Sequence, residues 1–593
     1  VIQLILDGTQ VPVVQEPIPF RRQSPLLADR DGSIVYQIKV PVTPLTAGLL
    51  GHPHRVSSSE FGSVVRRSAT LIIAGVHFAS GVMDISKATS SLYELTLGIE
   101  RGAFYFDTQR SLKSFFADDF VEFGTTAFPI LDMLDKAHKE TYPASKFCLA
   151  PVFNEKIFDS PDNWISPPAE GTLARVFQNP PTFVYDSLVE PPAPVRLAWE
   201  THYTPFFYVA YVVDELMKKI GLNVLENVFR SDAELKTLCI YSNYIYKLWN
   251  APGAQKFQVA RYLPELTAHE FIRSLEAVFN VTFEPDYSSG TVRIKNADLI
   301  FDQAADNRQG EPVFQNPEVE LSQRIEKYVY RFTTGGDDSY YKEKVKEITS
   351  PYRLVGTVPD SSSLPDPADY EFHDVIRIDV GAFTQLNTNN YGYYAVAVDA
   401  SGDKFWEFYS HDYLPEVIGN PDGQRSKNID AGFNPVLNFS FNGTPYSVPN
   451  FWASRVDKAC VGNFSKVQRE SSDLSLFFYR GKYGMDGPTE FAMPFVSSER
   501  YTADGSNVPG ANYELRWTEA NGLLEKFHKR KVAWQRQLPA PVKARKRLRL
   551  LELRDFKFSE VQTIRGRNFL PVTLEGNVLP NGTIDVTFDL LPI

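Results

Sequence analysis

Ile34-Val35-Tyr36-Gln37-Ile38-Lys39-Val40 alternates with a period of two, and that reading decides the fold. The period places Ile34, Tyr36, Ile38 and Val40 on one face of a half-buried β-strand. Its neighbours repeat the signal. Ser91-Leu92-Tyr93-Glu94-Leu95-Thr96-Leu97-Gly98-Ile99 alternates again, and Thr70-Leu71-Ile72-Ile73-Ala74-Gly75-Val76 reads as a more fully buried strand with a glycine break. Val1-Ile2-Gln3-Leu4-Ile5-Leu6 is a first strand that ends in an Asp7-Gly8 turn. Short strands at this spacing predict a small antiparallel barrel or sandwich over residues 1–110.

Outward from this stretch the character changes. Residues 111–200 carry Ser166-Pro167-Pro168, Asn179-Pro180-Pro181 and Glu190-Pro191-Pro192-Ala193-Pro194, which predict an irregular, semi-rigid insertion or linker. Residues 201–310 form an α+β module. Phe206, Val209, Val213, Leu216 and Ile220 recur at helical spacing, with Gly221 as the stop. Thr267 with Glu270 three residues later is a capping box opening a helix with the stripe Phe271, Leu275, Val278 and Phe279. A hairpin of Val281–Asp286 and Gly290–Ile294 follows. Residues 311–515 hold strand candidates at Tyr328–Phe332, Val375–Val380 and Tyr393–Val398, with loops expected at 355–370 and 410–435. Residues 516–593 predict a helix over Leu523–Trp534, a strand over Arg547–Leu553, and a closing hairpin at Asn581-Gly582.

The whole chain has 593 residues, enough for about three to five domains. Its 43% apolar and 22% charged residues are those of a folded chain, and its 41 prolines favour turns and strand edges over long helical bundles. The expected class is α+β, β-rich and multidomain, with β-barrel-like domains. No apolar run reaches the length of a spanning helix, about 20 residues. The N-terminus lacks a basic region, so synthesis in a cytoplasm without secretion is expected. The three cysteines, Cys148, Cys239 and Cys460, lie far apart in sequence and suit neither a disulfide framework nor a structural zinc site.

Motifs for phosphate cradles, dinucleotide folds, nucleophile elbows and zinc proteases are missing, and His269-Glu270 lacks the second zincin histidine. No catalytic, cofactor-binding or metal-binding residue is assigned, and no cofactor is expected. Four features stay open. His52 and His54 form a close pair without a third ligand nearby, which suits a polar turn better than a metal. Asp118-Asp119 beside Phe115, Phe116 and Phe120 looks like a sugar site whose paired carboxylates could hydrolyse cell-wall glycan, but a solvated loop at the mouth of an insertion is the simpler reading, since sequence spacing does not show the separation a glycosidase needs. Tyr391, Tyr393, Tyr394, Phe405, Trp406, Phe408 and Tyr409 offer a sugar-stacking patch or, more simply, a core. Lys526–Arg554 holds eleven basic residues and one acid, Glu552, in a chain of net charge −11. That run suits a solvated or subunit-facing surface better than nucleic acid, because Trp534 is its sole interior aromatic.

Four dispersed stretches resemble baseplate hub proteins of phage tails, the group with the late-control and Mu-like hubs, with wording nearest to tail proteins of phages of Bacteroidetes-type hosts. They are Gly51-His52-Pro53-His54-Arg55 with the strand–Gly75–strand unit and Gly81; Tyr208–Leu216 with Ile220-Gly221-Leu222; Leu263–Phe271 leading into Phe279–Phe283; and Asn521–His528 with the closing hairpin. Residues 111–200 and 355–515 depart from the group. The resemblance implies a non-enzymatic homotrimeric ring at the tail tip of a virion. The ring would join the distal tail or tail tube protein to a central spike or tail fibre protein and gate DNA passage. A tape-measure protein and transient DNA in the lumen, and the host surface, are further expected partners. A receptor- or glycan-binding tail protein is the alternative.

Overall fold

The computed structural model describes residues 1–24, 34–53, 67–99, 101–122, 136–137, 140–150, 205–242, 256–287, 289–302, 315–319, 324–332, 353–358, 361–371, 374–378, 392–399, 401–410, 416–420, 423–435, 437–440, 447–450, 474–484, 492–497, 511–517, 521–537, 539–554 and 561–593, with a few isolated residues and pairs. The fold is β-rich with helices, spread over several sheets. The prolines of 166–168, 179–181 and 190–194 lie outside the described residues, as do His54, Tyr391, Cys460 and the Gly335-Gly336 and Asn442-Gly443 turns.

Seven strands open the chain: β1 (Ile2–Leu6), β2 (Thr9–Val11), β3 (Ile18–Gln23), β4 (Ile34–Pro41), β5 (Arg67–Ile73), β6 (Val76–Ala88) and β7 (Leu92–Ile99). They join strands from the other end of the chain in one twelve-stranded sheet. Its order is β2-β1-β5-β6-β7-β4-β3, then 567–578, 583–592, 542–549 and 315–319, with 562–564 paired to the side of 567–578. The seam between the two chain ends is antiparallel, running from Ile18 opposite Val578 to Gln23 opposite Thr573. Tyr36, Ile38 and Val40 of β4 are buried, as their alternation predicts. Asp7-Gly8 and Ala74-Gly75 both turn through positive φ, the geometry that lets a two-residue turn follow the twist of its strands. Gly576 sits at a close approach where a Cβ would lie 2.2 Å from the Asp585 carbonyl oxygen, so only glycine fits. One apolar cluster fills this sheet, drawing on residues 2–97 and 542–590.

A second, larger cluster draws on residues 104–532. The helix Val209–Lys219 ends at Ile220, and Gly221 follows with φ +85. It begins three residues later than its apolar spacing suggested. Phe206–Phe207 instead pair as a short strand with Phe147–Cys148. The capping box is present: Glu270 N–H donates to Thr267 Oγ1 (3.1 Å) and Thr267 N–H donates to Glu270 Oε2 (2.8 Å). All four stripe residues of that helix, Ala268–Phe279, are buried. The hairpin Val281–Asp286 with Thr291–Asn296 follows, and Asn223–Asn227 adds a parallel third strand.

Several expectations need correction. Leu112, Phe115, Phe116 and Phe147–Ala150, placed in an irregular insertion, are buried members of the larger core. The loop expected at 410–435 contains strands Glu416–Gly419 and Ser426–Asp430, which flank Lys327–Arg331 on its two sides. The loop expected at 355–370 includes strand Arg353–Val358, paired with Asp374–Ile378. The helix over Leu523–Trp534 is two helices, Leu523–Phe527 and Lys529–Gln535, broken at His528. The strand expected over Arg547–Leu553 stops at Arg549, and Leu550–Arg554 is a helix burying Leu550 and Leu553. Arg549 N–H donates to Glu552 Oε2 (2.7 Å) and starts that turn. Arg22, on the inward face of β3, closes its far end by donating to the carbonyls of Leu553 and Phe556.

Candidate functional site

The basic run of 526–554 is divided among three environments. Arg545, Arg547 and Arg549 alternate outward along strand Val542–Arg549 while Ala544 and Leu548 turn inward. This strand lies between 583–592 and 315–319; Arg545 is opposite Thr587 and Gln315 and Arg549 opposite Thr583, while Arg547 and Lys543 face acids across the ladder. Arg547 is opposite Asp585 and bonds it at 2.8 Å; Lys543 is opposite Asp589 on one side and Glu318 on the other. The row continues across the sheet to Arg21, which bonds Glu575 at 2.8 Å. The outer face is therefore a ladder of mixed sign. Lys546 is half-buried beside Glu552, and burial lowers its pKa.

The helical part of the run is a docking joint. Asp298, presented by the turn after Thr291–Asn296, accepts from the backbone N–H groups of Arg530 (2.8 Å) and Lys531 (3.1 Å). It thereby caps the helix Lys529–Gln535 from more than 200 residues away in sequence. Asn280, left-handed at the end of helix Ala268–Phe279, donates to Asp298 (2.9 Å) and to the Phe527 carbonyl (2.8 Å). His528 is buried with Nε2 2.8 Å from the Val278 carbonyl and its ring against Tyr330 and Trp517. Burial raises the Asp298 pKa, while the two N–H donors oppose that rise.

A buried charge cluster that sequence spacing did not suggest lies further inside. Arg480 and Glu234 form an ion pair with 2% and 8% of their side chains exposed. Glu234 also accepts from Asn512 N–H (2.7 Å) and Tyr513 N–H (3.0 Å), and Arg480 donates to the Tyr513 carbonyl (2.7 Å). The Tyr513 hydroxyl donates to Asp232 (2.8 Å). Three distant segments are clamped at one point. Nothing in the local sequence of any of them signals the clamp.

The open features resolve as follows. Asp118 is exposed, and Asp119 pairs with Lys219 at 2.8 Å. Phe115 and Phe116 are buried in the core, while Phe120 is exposed under the Lys256 ammonium. His52 sits in a left-handed turn after the helix Pro44–Leu49. Among the described residues no three histidine, cysteine or acidic side chains gather as metal ligands. Trp406 donates its indole N–H to the Pro365 carbonyl (2.7 Å) and packs on Tyr370; Phe405 beside it is 43% exposed. A shallow cavity of about 450 Å³ is bounded by Glu416–Asn420 and Arg536. Burial pushes the Glu416 carboxyl up to about 7, with Arg536 pulling it back.

Comparison with known proteins adds only faint likenesses. No protein family model matches the chain and no curated protein is similar to it. Two solved structures align with almost all of it: a 43 kDa tail protein of prophage MuSo2 from Shewanella oneidensis (8% identity, 99% of this chain and 97% of that one, TM-score 0.31), and a tail protein from Neisseria meningitidis MC58 (7% identity, 100% and 95%, TM-score 0.27). At those TM-scores neither superposition carries an argument.

Proposed function

We propose that the chain is a structural protein of a phage-type tail, and more specifically a baseplate hub. Its copies form a threefold ring that joins the tail tube to a central spike or fibre and gates DNA passage, with no catalysis of its own. The observation that carries this reading is the twelve-stranded sheet built from both chain ends. Its terminal strands, Thr9–Val11 and Gln315–Val319, have ladder partners on one side only among the described residues. An edge strand presents a row of donors and acceptors to another chain, and Val319 at one such edge is 61% exposed. Different edges on the two sides suit the head-to-tail contacts of a closed ring. The mixed-sign ladder also suits a protein past which DNA must move, since a dense cationic wall would hold the phosphates.

The resemblance of the four dispersed sequence stretches supports the same reading. Sugar stacking through Trp406 has less support, because Pro365 and Tyr370 already engage its indole.

Electron microscopy of the assembled particle tests the proposal. Three copies of this chain around the axis at the tail tip are expected, and solitary or laterally attached copies would overturn it. In solution, light scattering should give a threefold multiple of 67.1 kDa at high concentration.

A further inference from the structure

Cys148 and Cys239 are 91 positions apart in sequence, yet their sulfurs lie 3.5 Å from each other, both fully buried. The backbone holds them there. Cys148 is directly opposite Phe206 in the short antiparallel pair of 147–148 with 206–207. Cys239 is bridged to Tyr208 on the same run and is paired with Phe477 on its other side. Both cysteines are thus tethered by backbone pairing to one three-residue stretch, 206–208.

We propose that Cys148 and Cys239 form a reversible disulfide, a covalent latch between residues 147–148 and 238–240, when the chain meets a small-molecule disulfide such as oxidised glutathione. One cysteine thiolate attacks the oxidant, forming a mixed disulfide and expelling one glutathione thiolate. The second cysteine thiolate attacks the protein sulfur of that mixed disulfide, expelling the other glutathione. Two protons leave the protein, two electrons pass to glutathione, and one S–S bond forms. Closing the bond brings the sulfurs from 3.5 Å to about 2 Å.

The reaction is slow in the closed fold. Burial, reinforced by the neighbouring Cys148, holds the Cys239 thiol well above its usual pKa, and the thiolate is the reactive form. Exchange therefore proceeds through local opening that exposes the buried two-residue strand Phe147–Cys148. Once formed, the bond closes the chain from 148 to 239 into a loop. Peptide cleavage inside that loop would leave the pieces attached, and the unfolded chain would be restricted, which favours the fold.

The test refolds the full chain from denaturant in glutathione buffers of increasing oxidised fraction, so that burial cannot block access. Free thiols are alkylated after acid quenching, and peptides are mapped without reduction. Expected is a linked peptide pair carrying Cys148 and Cys239, lighter by two hydrogens than the separate peptides, with Cys460 alkylated. Cys460→Ser should form the bond equally well, and the oxidised chain should melt higher than the reduced one by about 5 °C. Three alkylated cysteines at every glutathione ratio would overturn the proposal. So would a bond to Cys460, or a stable glutathione adduct on either cysteine.

Discussion

On the outer face of the twelve-stranded sheet, Arg547 meets Asp585 and Arg21 meets Glu575 with more than half of each side chain in water. In the larger core, Arg480 meets Glu234 with almost none. The chemical partners are the same, guanidinium and carboxylate, but the consequences differ. Exposed pairs exchange one hydrated state for another and are screened by salt, so they set surface character more than stability. A buried pair has lost its water, so each partner depends on the other and on the surrounding backbone donors. Glu234 has two such backbone donors beside the Arg480 guanidinium, and this makes it a clamp.

The largest expected effect follows from that contrast. Glu234→Ala leaves Arg480 charged and buried and strips Asn512 and Tyr513 of their acceptor. A loss of about 3–5 kcal/mol is expected from urea unfolding. A loss as small as that of a surface substitution would erase the distinction between the two regions.

Gly432→Ala tests packing beside the same core. The added Cβ would lie 2.2 Å from Ser274 Oγ, and φ +70 already disfavours a side chain. About 1–3 kcal/mol of destabilisation is expected, partly recovered by a second change, Ser274→Gly. Without that recovery, the crowding at Ser274 is not the cause.

Asp298→Ala removes the remote cap of helix Lys529–Gln535 and one partner of Asn280. A cost of about 1–2 kcal/mol should appear in thermal melts. Faster hydrogen exchange at Arg530 and Lys531 would locate the loss at the joint, and unchanged exchange there would refute the cap.

Glu416 gives a pH signature. Its folded pKa, about 7, is above its ordinary 4.5, so the fold favours the protonated carboxyl. The stability it contributes is full below pH 4.5 and is lost as pH rises through 7. Glu416→Gln should flatten that part of the stability–pH curve and be the more stable form at pH 8. An unaltered curve would mean that Glu416 is hydrated.

The smallest effect is expected at Asp585→Asn. The Arg547 partner is lost in water, so melting should hardly change, while the outer face becomes more cationic and binding to heparin rises in low salt. A large drop in melting temperature would mean that the ladder carries stability after all.

Local chemistry was legible wherever it closes within a few residues. Thr267 and Glu270 bond each other three positions apart, Asp7-Gly8 turns within two, and the period of β4 needs only its own residues. The helix break at His528 was not legible, because Val278, Tyr330 and Trp517 decide it. The start of the helix at Val209 was displaced because Phe206–Phe207 found a strand partner at 147–148. The alternation of arginine and leucine breaks where Leu551 follows Leu550, and there the strand gives way to a helical turn that buries Leu550 and Leu553 together.

From the sequence alone came the β-rich character, the glycine turns, the capping box and the presence of a basic run, all set by propensity and short-range bonding. Tertiary structure alone decided what that run does, which carboxylate clamps Arg480, and that two cysteines touch. The physical reason is distance along the chain. Ionic, capping and thiol contacts act over a few ångströms in space, and here they join residues 38 to 246 positions apart, which no local pattern encodes.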